Sequence, residues 1–487
     1  MTNDKIDLAK ASTPEPGSGD DAQFGGFSLD IDRRTITDSL RGYYNRIRTG
    51  DPGALPSILG LIVLGVIFSQ VSSRFLGKGN LGDLPGQGAY IAIIALGLVF
   101  VLLLGEIDLS AGTTGGICAG FAAQAINSHD LHKGIASPLY WALIGALVAM
   151  LLLGIWLKTY FGAGIVLIGL IIVLTGLDKH VVFALLLAIG IGAAVGIFTG
   201  WLVASIGIPS FVVTLALFLV WQGVLLFALT QKGSPGSNPI GIIHYEFWYG
   251  LAHNNMSPGW SWVFTIVVAG GYILYTVMKS LRAQAKQLAA DTMGLVLTRG
   301  GIIAVVAVVL TIFANQNRNA NSNGKVISGL PWAATIPIML MIACTIALTK
   351  TTWGRHLFAT GGNAEAARRA GIDVVHIRVS AFVLCSSLAA IGGVFLSSLT
   401  GGAQLDLGAG NILLFAVAAA VIGGTSLFGG RGKPRDAIIG ALVIVIIPNG
   451  LGLRPSLPAQ YQNVITGAVL LVAAAVDALS RRSSRTR

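Results

Sequence analysis

Charged side chains are scarce in this chain. Asp, Glu, Lys and Arg make up 11% of its 487 residues, against roughly 25% in a soluble domain, and so small a share excludes an ordinary soluble fold. Cysteine is scarcer still. Cys118, Cys344 and Cys385 each stand alone in apolar sequence, which excludes a disulfide framework or a zinc-type cluster and makes each a small buried hydrophobe. The seven histidines include no pair at the helical spacing that binds metal, so no metal site is expected. The first 50 residues lack the apolar core of a signal peptide and read as an uncleaved cytoplasmic tail. Within it, residues 13–26 are rich in Gly, Pro, Ser and Asp and are expected to be disordered. The phosphate-cradling pattern GxxxxGK[ST] is absent throughout, so the chain has no recognisable ATPase site.

Apolar residues fill the space that charge leaves. They reach 54% of the chain, with a mean hydropathy of +0.76. A bilayer is crossed by about 20 apolar residues, which yields about fourteen candidate spans: 54–76, 89–104, 113–127, 138–157, 163–177, 181–203, 208–230, 260–278, 300–314, 332–349, 379–398, 412–428, 436–449 and 461–477. The shorter ones read as broken or re-entrant. The expected fold is therefore all-α and polytopic. It has a tail at 1–53, a transmembrane domain at 54–477 with a large loop at 350–378, and a basic tail at 478–487. Lys and Arg concentrate in 1–53, 279–299, 350–378, 429–435 and 478–487 and are sparse in the alternate loops, which places both termini in the cytoplasm. The net charge of +11 is then a membrane-side bias rather than a nucleic-acid surface. Outside, the loop 231–259 carries Tyr245, Phe247 and Trp248, with Trp260 just beyond, an arrangement that also suits an interfacial belt.

Four stretches interrupt the apolar background. Gly361 to Asp373 is polar and alanine-rich. Gly361, Gly362 and Asn363 make a turn, Asn363 suits the N-cap of a short helix, Glu365 and then Arg368 and Arg369 suit its dipole, and Gly371 suits a left-handed stop. Such a helix is too short to stand alone in water and reads either as a solvated connector or as a handle for a soluble partner. Gly105 to Gly112 holds Glu106 and Asp108, and charge at membrane depth is costly and usually functional. Asp108 or Ser110 can equally cap the helix that follows, while a proton relay through Glu106 and Asp108 is the sharper alternative. Gly423, Gly424 and Thr425 begin the glycine-dense stretch 423–432, which suits a tight turn, with Asp436 expected as the next N-cap. Residues 207–214 open a span in which Trp221 and Gln222 suit either a sugar or helix-to-helix hydrogen bonding. The helix–turn–helix over 89–116 is weakly echoed over 412–440, with both turns on the cytoplasmic side.

In order and spacing, these stretches resemble the membrane permeases of bacterial carbohydrate-importing ABC transporters, in the ribose, galactose and xylose branch. GEIDLSAG is similar to that family's GGIDLSVG signature, with Glu106 at its second glycine, a variant that most resembles the D-xylose permeases. IPSFVVTLA, TTWGRHLFATGGNAEAARRAGIDV and VIGGTSLFGGRG match in sequence, and the resemblance runs from about 89 to 477. The basic stretch 286–294 and the inserted span 300–314 look like the longer xylose-type members. The resemblance implies that Gly362, Asn363, Glu365, Ala366, Ala367, Arg368 and Gly371 form a coupling helix that docks in a groove of a cytoplasmic ATPase. It implies signature turns at Glu106, Asp108 and Ser110 and at Gly423, Gly424 and Thr425. It also implies a homodimer or paired permease in the plasma membrane, two ATPase chains that use the ATP, an extracytoplasmic sugar-binding protein, and a monosaccharide as cargo, with no cofactor in this chain. A translocation path touched by Gln222 and Asn411 is expected near the dimer centre. The rival readings are a proton- or sodium-driven transporter using Glu106 and Asp108, and a membrane-embedded enzyme or receptor.

Overall fold

A computed structural model describes residues 55–230, 239–286, 292–319 and 326–453, with single positions elsewhere. Apart from such positions, the tails 1–53 and 478–487 and the expected span 461–477 lie outside the described residues. Every expected span before 461 coincides with a helix. In order these are α1 Leu55–Val71, α2 Lys78–Leu103, α3 Ala111–Ser128, α4 Ser137–Trp156, α5 Tyr160–Thr175, α6 Val181–Trp201, α7 Ser210–Thr230, α8 Glu246–His253, α9 Pro258–Ala285, α10 Met293–Asn315, α11 Trp332–Lys350, α12 Thr352–Gly362, α13 Ala364–Arg369, α14 Val374–Thr400, α15 Ile412–Gly423 and α16 Pro434–Gly452. Among the described residues, nine helices are long and apolar enough to cross a membrane, and α1, α5 and α15 are shorter apolar ones. The fold is an all-α polytopic bundle.

Two helices form its centre. From Ala89 onward α2 is apolar on every side, and a helix of that kind is buried all round. α14 crosses it and also packs on α3 and α6. The start of α2 at Lys78, earlier than hydropathy suggests, has a direct cause. Asn80 and Asn449 of α16 each donate an amide hydrogen to the other's carbonyl, at 2.9 and 2.8 Å, and Asn449 also donates to Gln87 at 3.1 Å. Side-chain amides satisfied in this way are tolerated between helices in a membrane.

The connections sort into two ends. At one end lie the turns 104–110, 207–209 and 424–433 and the segment 351–373, joined by hydrogen bonds across them. At the other end, Ile240–Gly241 pairs antiparallel with Gly402–Ala403, and Arg318 donates to Asn255 at 2.8 Å and to the Gly329 carbonyl at 3.0 Å. α8 is clamped there. Trp248 is fully buried, and its indole N–H donates to the Val394 carbonyl at 3.0 Å and to Ser397 Oγ at 3.1 Å. The Tyr245 hydroxyl donates to the Ile126 carbonyl at 3.0 Å. Trp248 is therefore an anchor rather than part of an interfacial belt, whereas Phe247 and Trp260 are exposed.

Candidate functional site

The exposed segment 351–373 is built by caps. Thr351 Oγ1 accepts from the Gly354 amide at 3.1 Å, Asn363 Oδ1 from the Ala366 amide at 3.0 Å, and Asp373 Oδ1 from the His376 amide at 3.0 Å. Thus α12, α13 and α14 each open on a side-chain oxygen that takes an orphan backbone donor. After α13 the chain turns left-handed at Gly371, with φ +82°, a conformation that glycine adopts without strain. Gly362, Asn363, Glu365, Ala366 and Arg368 are exposed, while Ala367 is buried as the foot of the helix. Glu365 pairs with Arg368 at 3.6 Å and with Arg369 at 3.2 Å, surface pairs worth about 0.3–0.5 kcal/mol each. α12 ties the projection to the bundle through buried Leu357 and through Trp353, whose indole N–H donates to Ser380 Oγ at 2.7 Å.

Beneath this segment three stretches meet around one carbonyl. The Leu103 oxygen, at the end of α2, accepts the Gly430 amide at 2.8 Å. A Cβ at Gly361 would lie 1.9 Å from the same oxygen, so only glycine fits there. Gly423 ends α15 and Gly424 continues with φ +121°. Thr425 is buried, and its amide donates to the Ala420 carbonyl at 3.0 Å. Asp436 is not the N-cap of α16. That position is Lys433, and Asp436 reaches back from the first turn to accept the Lys433 amide at 2.8 Å.

The turn 104–110 forms the other wall. Asp108 is fully buried. Its Oδ1 accepts the Ser110 amide at 2.9 Å and the Ser110 hydroxyl at 2.7 Å, and its Oδ2 accepts the Cys385 thiol at 3.7 Å. Ser110 stands at the N-cap of α3, but its side chain takes no helix amide; its hydroxyl donates to Asp108 Oδ1. The Ile107 amide donates to Ser210 Oγ at 3.2 Å, and its carbonyl accepts from Thr214 at 3.3 Å, which laces this turn to α7. Glu106 pairs with Arg378 of α14 at 3.6 Å. Sequence reasoning missed that pair, because Arg378 reads as one more loop cation.

All four singled-out stretches therefore converge on one junction. Gln222 and Asn411 do not belong to it. Gln222 is half-buried midway along α7, and Asn411 is exposed at the start of α15, toward the opposite end. Beside Gln222, Trp221 lines an apolar cavity of about 330 Å³ with Phe121, Leu143, Ile191 and Phe198, but Gln222 is not in its lining.

This junction, set at one end of a polytopic bundle, belongs to a transport permease. The chain is a member of the family described as the branched-chain amino acid transport system permease component, whose model matches residues 80–474. Among curated relatives, it is 30% identical to the xylose transport system permease protein of Escherichia coli K12, over 88% of this chain and 92% of that one. It is 27% identical to the protein of the same description from Haemophilus influenzae, over 87% and 96%. It is 25% identical to the ribose import permease protein of Escherichia coli K12, over 86% and 92%. The resemblance to carbohydrate permeases, and to the xylose type most of all, is met by these matches. No solved structure matches the chain. The protein is a multi-pass protein of the plasma membrane.

Proposed function

We propose that this chain is the membrane subunit of an ATP-driven importer of a monosaccharide, D-xylose or a similar pentose or hexose. In this reading it works as a homodimer or paired permease with two cytoplasmic ATPase chains and an extracytoplasmic sugar-binding protein. The observation that carries the reading is the exposed, triply capped segment 351–373, seated on a junction of the other three motifs. A rigidly footed projection at a helix-bundle end suits the transfer of a partner's motion into the membrane, and the sugar class follows the relatives' substrates.

Cation distribution supports the orientation. Lys158, Arg282, Arg355, Arg368, Arg369, Arg378, Arg431 and Lys433 are among the cations toward the junction end, against Arg74, Lys78, Lys133, Lys179 and Arg318 at the other, a bias that favours a junction facing the cytoplasm. The proton-driven rival needs Glu106 and Asp108 to act together, yet one is paired to Arg378 and the other is held by Ser110.

The test is purification from native membranes in mild detergent, with identification of the co-purifying chains and sugar screening on any binding protein. An ATPase and a sugar-binding protein should come out together with this chain. Glu365→Arg or Gly371→Pro should abolish both ATPase docking and uptake while the protein still inserts. A chain that purifies alone and transports under a proton gradient would overturn the reading.

A further inference from the structure

The short helix α13 is itself joined to the bundle by little. Its buried contact is Ala367, and its charged side chains point outward. Motion applied to it must therefore pass through its flanks. On one side is α12, packed on α2 and α14; on the other are Gly371, the Asp373 cap and the first turns of α14. Arg378 stands in those first turns. Its guanidinium reaches Glu106 across the junction at 3.6 Å, with the Arg side chain 29% and the Glu side chain 15% exposed. Glu106 belongs to a turn that is itself fixed to three helices. Its amide donates to the Val101 carbonyl of α2 at 3.2 Å, the neighbouring Ile107 is bonded to Ser210 and Thr214 of α7, and Asp108 is bonded to Ser110 at the head of α3. Glycine at position 106 would remove the charged link altogether.

The pair is also incompletely satisfied. Among the described residues Arg378 Nε is buried without a hydrogen-bond partner, as are Nδ1 of His376, Oγ1 of Thr360 and Oγ1 of Thr425 near the junction and other atoms elsewhere in the bundle. Buried donors without partners are costly.

We infer that Glu106 and Arg378 are a positioning pair: their contact locks α13 and the head of α14 to the turn that organises α2, α3 and α7, and it sets how tightly ATP hydrolysis is coupled to sugar movement. The inference rests on the importer reading above.

The experiment reconstitutes the complete transporter, with ATPase and binding protein, in vesicles and measures sugar moved per ATP hydrolysed. Glu106→Gln, Arg378→Gln, the double variant and the exchanged pair E106R/R378E are compared. Each single variant should still assemble with the ATPase and lower the transport-to-hydrolysis ratio about tenfold, the size of a single coupled contact. The double variant should be no worse than either single one, and the exchanged pair should recover most of the ratio. A merely structural role would lower protein yield and thermal stability but leave the ratio of the surviving complex at the wild-type value, which overturns the inference. So would single effects that simply multiply in the double variant. Loss of assembly in the wild type itself, with no ATPase bound, would instead overturn the importer reading.

Discussion

At the scale of single residues, the junction distinguishes neighbours that look alike in sequence. Gly361 and Gly362 are adjacent, but a Cβ on the first would meet the Leu103 oxygen at 1.9 Å and one on the second would meet nothing within 4 Å. Gly361→Ala should therefore prevent a properly packed junction, while Gly362→Ala should be close to neutral. Thermal denaturation of the two purified proteins, read by static light scattering, separates them. Asn363→Ala removes the oxygen that takes the Ala366 amide, a loss of about 1 kcal/mol. It should show as faster hydrogen exchange at the amides of 365–367 without a change in the bulk melting temperature. Asp108→Ala strands the Ser110 amide and hydroxyl inside the protein, at about 1–3 kcal/mol, and should lower the melting temperature clearly. The cap at Asn363 is legible from residue type alone, because a cap is a local event, whereas those at Thr351 and Asp373 emerge only with the helix bounds. The carboxylates were not so legible. Asp108 and Ser110 are equally good caps by residue type, and only the folded turn shows both Ser110 donors given to Asp108, while the partner of Glu106 lies far along the chain.

At the scale of elements, hydropathy finds the helices but misplaces ends that are polar for a reason. The early start of α2 is hidden in sequence by Asn80, Asp83 and Gln87, two of which are neutralised by Asn449 from α16. A window of neighbouring residues carries no information about such a partner. α8 shows the opposite failure, since an aromatic loop at a membrane edge suits a belt equally well. Its Trp248 is instead a buried peg, held by two acceptors on α14. Trp248→Phe keeps most of the apolar area but removes the indole N–H that donates to the Val394 carbonyl and Ser397 Oγ, while the Ser397 hydroxyl still donates to that carbonyl. The expected cost is about 0.5–1.5 kcal/mol, and proteolysis between 240 and 256 should become faster, while Phe247→Ala, on the exposed side, should leave the cleavage rate unchanged.

At the scale of the whole molecule, the two ends are chemically distinct, and membrane sidedness is the test. R368C and K179C, placed in a cysteine-free background, should label with a membrane-impermeant maleimide from opposite sides of sealed vesicles. Labelling of both from one side would refute the orientation. The bundle also has an unequal centre. α3 carries Thr113, Thr114, Gln124, Asn127 and Ser128 among its 18 residues, it is not among the nine helices long and apolar enough to cross a membrane, and it is buried along most of its length. It faces α14 and α6, which are synthesised later. A segment this polar gains little from lipid, so its place must be made by protein. Biogenesis is therefore not finished helix by helix. Until the ribosome has passed α14, the third helix has no durable seat in the bilayer, and a nascent chain stopped at 373 should expose 111–128 to proteases or to membrane quality control.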